Sequence, residues 1–144
     1  MSPVKAKENL KKQVLKDSLE KAQVAALSVL DTKGIDLIVL EMIGLVSFTD
    51  YFVICSGTSA PHVSAIVDSV EDALRLQGVK PRSIEGKRAS HWALMDYGDV
   101  VVHVFDTASR EYYELEKLWL DAKRIEVNED TSVVGGKDQG ELDS

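Results

Sequence analysis

Tyr51-Phe52-Val53-Ile54-Cys55-Ser56-Gly57-Thr58-Ser59-Ala60-Pro61 is the stretch that decides the fold. Its first six residues are apolar or small with few interruptions and read as a strand. Gly57-Thr58-Ser59 then turns the chain, Ser59 or Thr58 can cap a helix, and Pro61 is tolerated in a first turn whose backbone donors have no partner. Val63, Ile66, Val67, Val70 and Leu74 follow at helical spacing, with Asp68, Glu71 and Asp72 at polar positions. Strand, turn, helix in that order predicts an α/β layer structure.

Working outward, Leu15, Leu19, Ala22, Ala26, Val29 and Leu30 recur in steps of four and three, predicting a helix over residues 8–30 that Gly34 ends. Residues 35–40 are mostly apolar and β-branched and predict an interior strand; Gly44 marks a turn. After a stop at Gly78, the segment 79–90 contains Pro81, Gly86 and four basic residues, with one short strand near 82–85. Residues 91–96 and 100–105 flank Tyr97-Gly98-Asp99 as a hairpin. Ser109 is positioned to cap a last helix running to about residue 120, with Tyr112, Leu115, Leu118 and Trp119 near one face. Residues 125–127 add a short edge strand. The expected fold is a single α/β domain with a mixed β-sheet flanked by helices, spanning 8–127 between a flexible start at 1–7 and an acidic, disordered tail at 128–144.

The chain has 144 residues, one ordinary domain, and 44% hydrophobic content supplies a core. Its net charge is −7. Proteins that grip nucleic-acid phosphates carry a basic excess, because Lys and Arg replace the counterions they release. An acidic chain fits a basic protein partner better, so little direct nucleic-acid binding is expected. The charge is uneven: six Lys face three acids in residues 1–21, and six acids face one Lys in 126–144. One cysteine, Cys55, excludes an internal disulfide and any multi-cysteine zinc site. No apolar run approaches the ~20 residues needed to span a bilayer, and the N-terminus has no hydrophobic signal core, so the cytoplasm is the expected location.

The search for chemistry is mostly negative. There is no Gly-x-x-x-x-Gly-Lys-Ser/Thr and no Gly-x-Gly-x-x-Gly. Gly57-Thr58-Ser59 ahead of a helix leaves an anion site open, although every capped helix offers the same N–H groups and plain capping is the simpler reading. Two-metal nucleotidyl transfer needs two carboxylates two residues apart on one strand face. Here that face presents Asp99, Val101, His103 and Phe105, and the second acid is missing. His62, His91 and His103 have no metal-ligand spacing, and Cys55 in a strand reads as a buried, inert thiol. His103 reads as a core or interface histidine. No catalytic residue, cofactor or metal is expected. Trp92, Leu94 and Asp96 alternate onto one strand face, Trp being the residue most often found as an interface anchor. Tyr97, at the hairpin turn, is expected to be exposed.

The segments 49–59 with His62, Glu85-Gly86, Trp92, 96–105 and 110–119 together resemble the ribosomal silencing factor family, also called the Iojap family, in order and spacing over roughly residues 27–120. The resemblance implies a nucleotidyltransferase-like core without the catalytic acids. It implies a factor that binds the large ribosomal subunit through that subunit's ribosomal protein fourteen and blocks joining of the small subunit when nutrients run short. It further implies a homodimer in the free form and a contact region at Trp92. Leu94, Asp96 and Tyr97 extend that region as an expectation from their neighbouring positions. An assembly role on the large subunit and a nucleotide-dependent transferase are the alternatives. Ser90-His91 replaces the acid common before the tryptophan, and Asp106-Thr107-Ala108-Ser109 departs from the usual Pro- and Glu-containing turn, which alters how the last helix is capped.

Overall fold

The computed structural model describes residues 17–86, 91–113 and 120–127, with the side chains of 111–113 outside that description. Helix α1 (Ser18–Asp31) starts where the Asp17 carboxylate accepts the Leu19 N–H at 2.9 Å. The predicted residues 8–16 of this helix lie outside the described residues. Small residues line its buried face: Ala22, Ala25, Ala26 and Ser28, with Val29. The helix can therefore sit close to the sheet. Its end has a Schellman pattern, with Gly34 N–H donating to the Val29 carbonyl at 2.8 Å and Lys33 N–H to that of Leu30 at 3.0 Å. The left-handed position is taken by Lys33 (φ 63°) rather than by glycine. Gly34 is needed for a different reason: a Cβ there would lie 2.4 Å from Val29 Cγ1.

Six strands form one sheet in the order β3-β4-β5-β2-β1-β6. They are β1 (Ile35–Glu41), β2 (Tyr51–Gly57), β3 (Ser83–Glu85), β4 (Trp92–Asp96), β5 (Val100–Asp106) and β6 (Lys123–Ile125). Every residue of β2 is buried. It runs parallel to β5, from Tyr51 opposite Val100 to Gly57 opposite Asp106. All other pairs are antiparallel, so the sheet is mixed. The last strand falls at 123–125, two residues earlier than the sequence pattern suggests, and it pairs with β1.

Helix α2 (Ala60–Leu76) is capped by Ser59, whose Oγ accepts the His62 N–H at 3.2 Å, and Pro61 occupies its first turn. Its buried stripe is the predicted one, Val63, Ile66, Val67, Val70 and Leu74. Each such side chain stabilises by about 1.5–3 kcal/mol. A part-exposed ion pair such as Lys21 to Asp99, at 3.0 Å, contributes about 0–1 kcal/mol. Burial of the stripes, rather than pairing, therefore holds the helices down. Both α1 and α2 lie on one side of the sheet, over Val39, Val53, Cys55, Val102 and Val104. Helix α3 (Thr107–Tyr113) follows β5 directly, and its cap is Asp106, whose carboxylate accepts the Ser109 N–H at 2.8 Å. Ser109 was the expected cap; β5 ends one residue later than the pattern suggests, which places Asp106 at the helix start. The predicted continuation over 114–119, with Leu115, Leu118 and Trp119, lies outside the described residues, and Leu120 is an exposed turn residue.

Candidate functional site

The face of the sheet away from α1 and α2 carries a second apolar cluster of Leu40, Met42, Phe52, Ile54, Val101 and Phe105. Ile38, Val46, Trp92, Leu94 and Ala122 pack against it while retaining some exposure. Strand alternation puts Trp92, Leu94 and Asp96 here, opposite Phe105, His103 and Val101 of β5. The Trp92 ring stacks on Phe105 at 5.2 Å between centroids. Asp96 is held in place by the Gly98 N–H, which donates to its carboxylate at 2.8 Å. Three of the four residues expected to form a contact surface are thus adjacent and part-exposed.

Tyr97 is the exception. It is only 6% exposed and belongs to the core on the helical side. It continues the alternation of Ala93 and Met95, which puts the ring on the helical face. Burial, with Glu71 nearby, raises its hydroxyl well above the usual phenol range.

The loop between β1 and β2 extends the apolar face further. Residues 42–49, Met-Ile-Gly-Leu-Val-Ser-Phe-Thr, carry no charge. Ile43 is 53% exposed, Leu45 42% and Phe48 62%, and the Phe48 ring lies 6.3 Å from that of Phe52. The sequence pattern marks only a turn at Gly44 here and does not single these residues out. The signal was present: loops are normally polar, and an uncharged apolar loop marks a contact surface.

Beneath Trp92 lies His103, 5% exposed, with Phe52 edge-on at 4.8 Å and Phe105 stacked at 6.3 Å. Its Nδ1 accepts the indole N–H of Trp92 at 3.2 Å. Burial pushes the imidazole down to about 4, so it is neutral near pH 7. At the rim, His91 Nδ1 meets the Asp106 carboxylate at 2.5 Å. That contact, helped by the Ser109 N–H, holds the Asp106 carboxyl below its ordinary range. His91 of the Ser90-His91 departure therefore has a local partner in the helix cap, and Ser90 lies outside the described residues. At the same end, buried Arg110 donates to Ser56 Oγ at 3.0 Å and to the Asp36 carbonyl at 2.8 Å. Asp36 sits in a bulge at φ 53°, and Arg110 fastens that bulge to α3.

The sites weighed for chemistry are occupied by structural bonds. The Thr58 N–H donates to His62 Nδ1 at 2.8 Å, and His62 Nε2–H donates to the Thr32 carbonyl at 2.8 Å. His62 N–H goes to Ser59 Oγ, and Val63 N–H to the Ser59 carbonyl. The Thr58 N–H of the turn and the His62 N–H at the helix start are thus committed within the protein. Gly57 packs closely on the helix start, where a Cβ would lie 3.0 Å from Val63 N. Cys55 is fully buried and its thiol is pushed up to about 12; a thiolate nucleophile does not form there. Asp99 turns toward Lys21 of α1, away from the His103 face. Among the described residues, no group of three His, Cys, Asp or Glu converges as a metal site, and no helix is long and apolar enough to cross a membrane.

Comparison with known proteins agrees with this architecture. A ribosomal silencing factor from Halalkalibacterium halodurans is 41% identical over 108 residues, covering 75% of this chain and 92% of that one. A mouse protein named mitochondrial assembly of ribosomal large subunit protein 1 is 40% identical over 87 residues, 58% of this chain and 38% of its own length. A crystal structure of a Chromobacterium violaceum protein superposes with a TM-score of 0.70 at 34% identity, covering 77% of this chain and 92% of that chain. The family described as "Ribosomal silencing factor during starvation" matches residues 15–142, and this chain belongs to that family.

Proposed function

We propose that this protein binds the large ribosomal subunit through ribosomal protein fourteen and, by covering that protein's exposed face, prevents the small subunit from joining. Translation falls as a result when nutrients are limiting, in the cytoplasm and without catalysis. The observation that carries the reading is the apolar surface on the side of the sheet away from α1 and α2: part-exposed Trp92 and Leu94, and the exposed Ile43, Leu45 and Phe48 of the β1–β2 loop, around a buried Phe52. Exposed apolar side chains gathered in one place mark a contact surface. Trp92 and Leu94 serve as anchors, and Asp96 stands beside them to meet a basic side chain. Tyr97 supports the hairpin from the helical side instead of touching the partner. A net charge of −7 suits a basic ribosomal protein and disfavours direct contact with RNA. The free protein pairs as a homodimer in this reading.

Sedimentation with separated subunits and intact ribosomes tests the reading, with Trp92→Ala in parallel. Co-migration with large subunits alone is expected, weakened roughly 30- to 1,000-fold by the substitution, the effect typical of an interface anchor. If the wild-type protein does not bind large subunits at modest salt, the reading is wrong. If the folded variant binds as tightly as wild type, the anchor lies elsewhere. The name of the mouse relative favours a second reading, assembly of the large subunit. Immature large-subunit particles accumulating in cells that lack this protein would select it over silencing.

A further inference from the structure

The bond between Trp92 and His103 deepens the reading of this face, on which the following rests. Indole N–H is a donor only, so His103 Nδ1, 3.2 Å away, has to be the unprotonated nitrogen of a neutral ring. The remaining proton then sits on Nε2. That atom is buried and has no hydrogen-bond partner among the described residues. A buried donor without an acceptor is costly, and a phenylalanine would fill the same aromatic stack without that penalty. Packing alone therefore does not account for a histidine here; the acceptor it offers to the indole does. The ring itself is clamped by Phe52 and Phe105, so it is a fixed point from which the part-exposed indole is held.

We infer that His103 is a positioning residue for partner binding: its Nδ1 fixes the orientation of Trp92 before the partner arrives. An anchor ordered in advance loses less conformational freedom on association, so the benefit appears as affinity. The imidazole lies under the indole and need not touch the partner.

Three measurements test this. In the wild-type protein, 15N shifts of His103 should report the tautomer protonated at Nε2, with the Trp92 indole proton slow to exchange. The Nδ1-protonated tautomer would overturn the proposal without any substitution. His103→Phe keeps the aromatic packing and removes the acceptor. It should speed exchange of the indole proton and weaken binding to large subunits by about 3- to 10-fold, the worth of one hydrogen bond. His103→Asn restores an acceptor where Nδ1 stood and should recover slow indole exchange, which a purely structural role would not predict. The chain has two tryptophans, and Trp92→Phe identifies the resonance. In a Trp92→Ala background, His103→Phe should weaken binding no further. Full additivity of the two, or unchanged indole exchange in folded His103→Phe, would refute the assignment. If Trp92→Ala binds normally, the site reading fails, whereas the tautomer and exchange results still judge the Trp92–His103 bond on its own.

Discussion

At the scale of single residues, His103 has a consequence for stability as well as for binding. Its folded value of about 4 lies below the ordinary 6.5 because burial penalises the charged ring. An unfolded chain takes up a proton as pH falls through 6.5, and the folded protein refuses it until about 4. The contribution of the neutral ring is complete above pH 6.5 and is lost between those values, up to about 3 kcal/mol. Chemical denaturation at pH 7 and pH 4.5 should show wild type losing more stability than His103→Phe over that interval. Equal losses would mean that the ring is not buried as described. The sequence made His103 legible as a core or interface histidine, because it interrupts an apolar strand. Its bond to Trp92 was hidden, since it depends on the register that sets Leu94 opposite His103 and leaves Trp92 on the diagonal. The side on which Tyr97 falls was open to reading, since it alternates with Ala93 and Met95 onto the face opposite Trp92, Leu94 and Asp96; its place at a turn points misleadingly to exposure.

The elements themselves were largely legible, and their ends less so. The stripe of α2 and the unbroken run of β2 leave little choice of structure. The end of α1 shows the limit: a glycine at 34 signals the stop, yet the left-handed residue is Lys33. Two substitutions separate those roles. Lys33→Gly relieves a backbone conformation that disfavours a Cβ and should raise stability by about 0.5–1 kcal/mol. Gly34→Ala should destabilise, because the added methyl meets Val29. Thermal melts of the two variants should move in opposite directions. The start of α3 was misread for a related reason: Asp106 and Ser109 both have capping side chains, and only the length of β5 decides between them.

For the whole molecule, the decisive fact is that α1 and α2 share one side of the sheet. Each apolar stripe predicts that its helix packs, but says nothing about which side receives it, so the part-exposed face was beyond the sequence pattern. Charge acts at this scale as well. An excess of seven negative charges accelerates encounter with a basic partner and is screened by salt, whereas apolar anchoring is not. The association rate with large subunits should therefore fall steeply between about 50 and 300 mM salt, with the dissociation rate nearly constant. Stopped-flow or surface-binding kinetics measure both; a salt effect confined to dissociation would contradict the proposed division of labour.

The last strand, β6, is three residues long and pairs with β1 at Val39, Leu40 and Glu41. Lys123 and Arg124 place two positive charges along that margin of the sheet. Without these residues β1 would present a row of unpaired backbone donors and acceptors bordered by Ile38, Val39 and Leu40, a template on which another chain can stack. A chain cut short ahead of Lys123 would keep the Trp92 face and both helices over the sheet, and would be prone to aggregate. The C-terminal strand thus acts as a guard of solubility, on the far side of the sheet from β4.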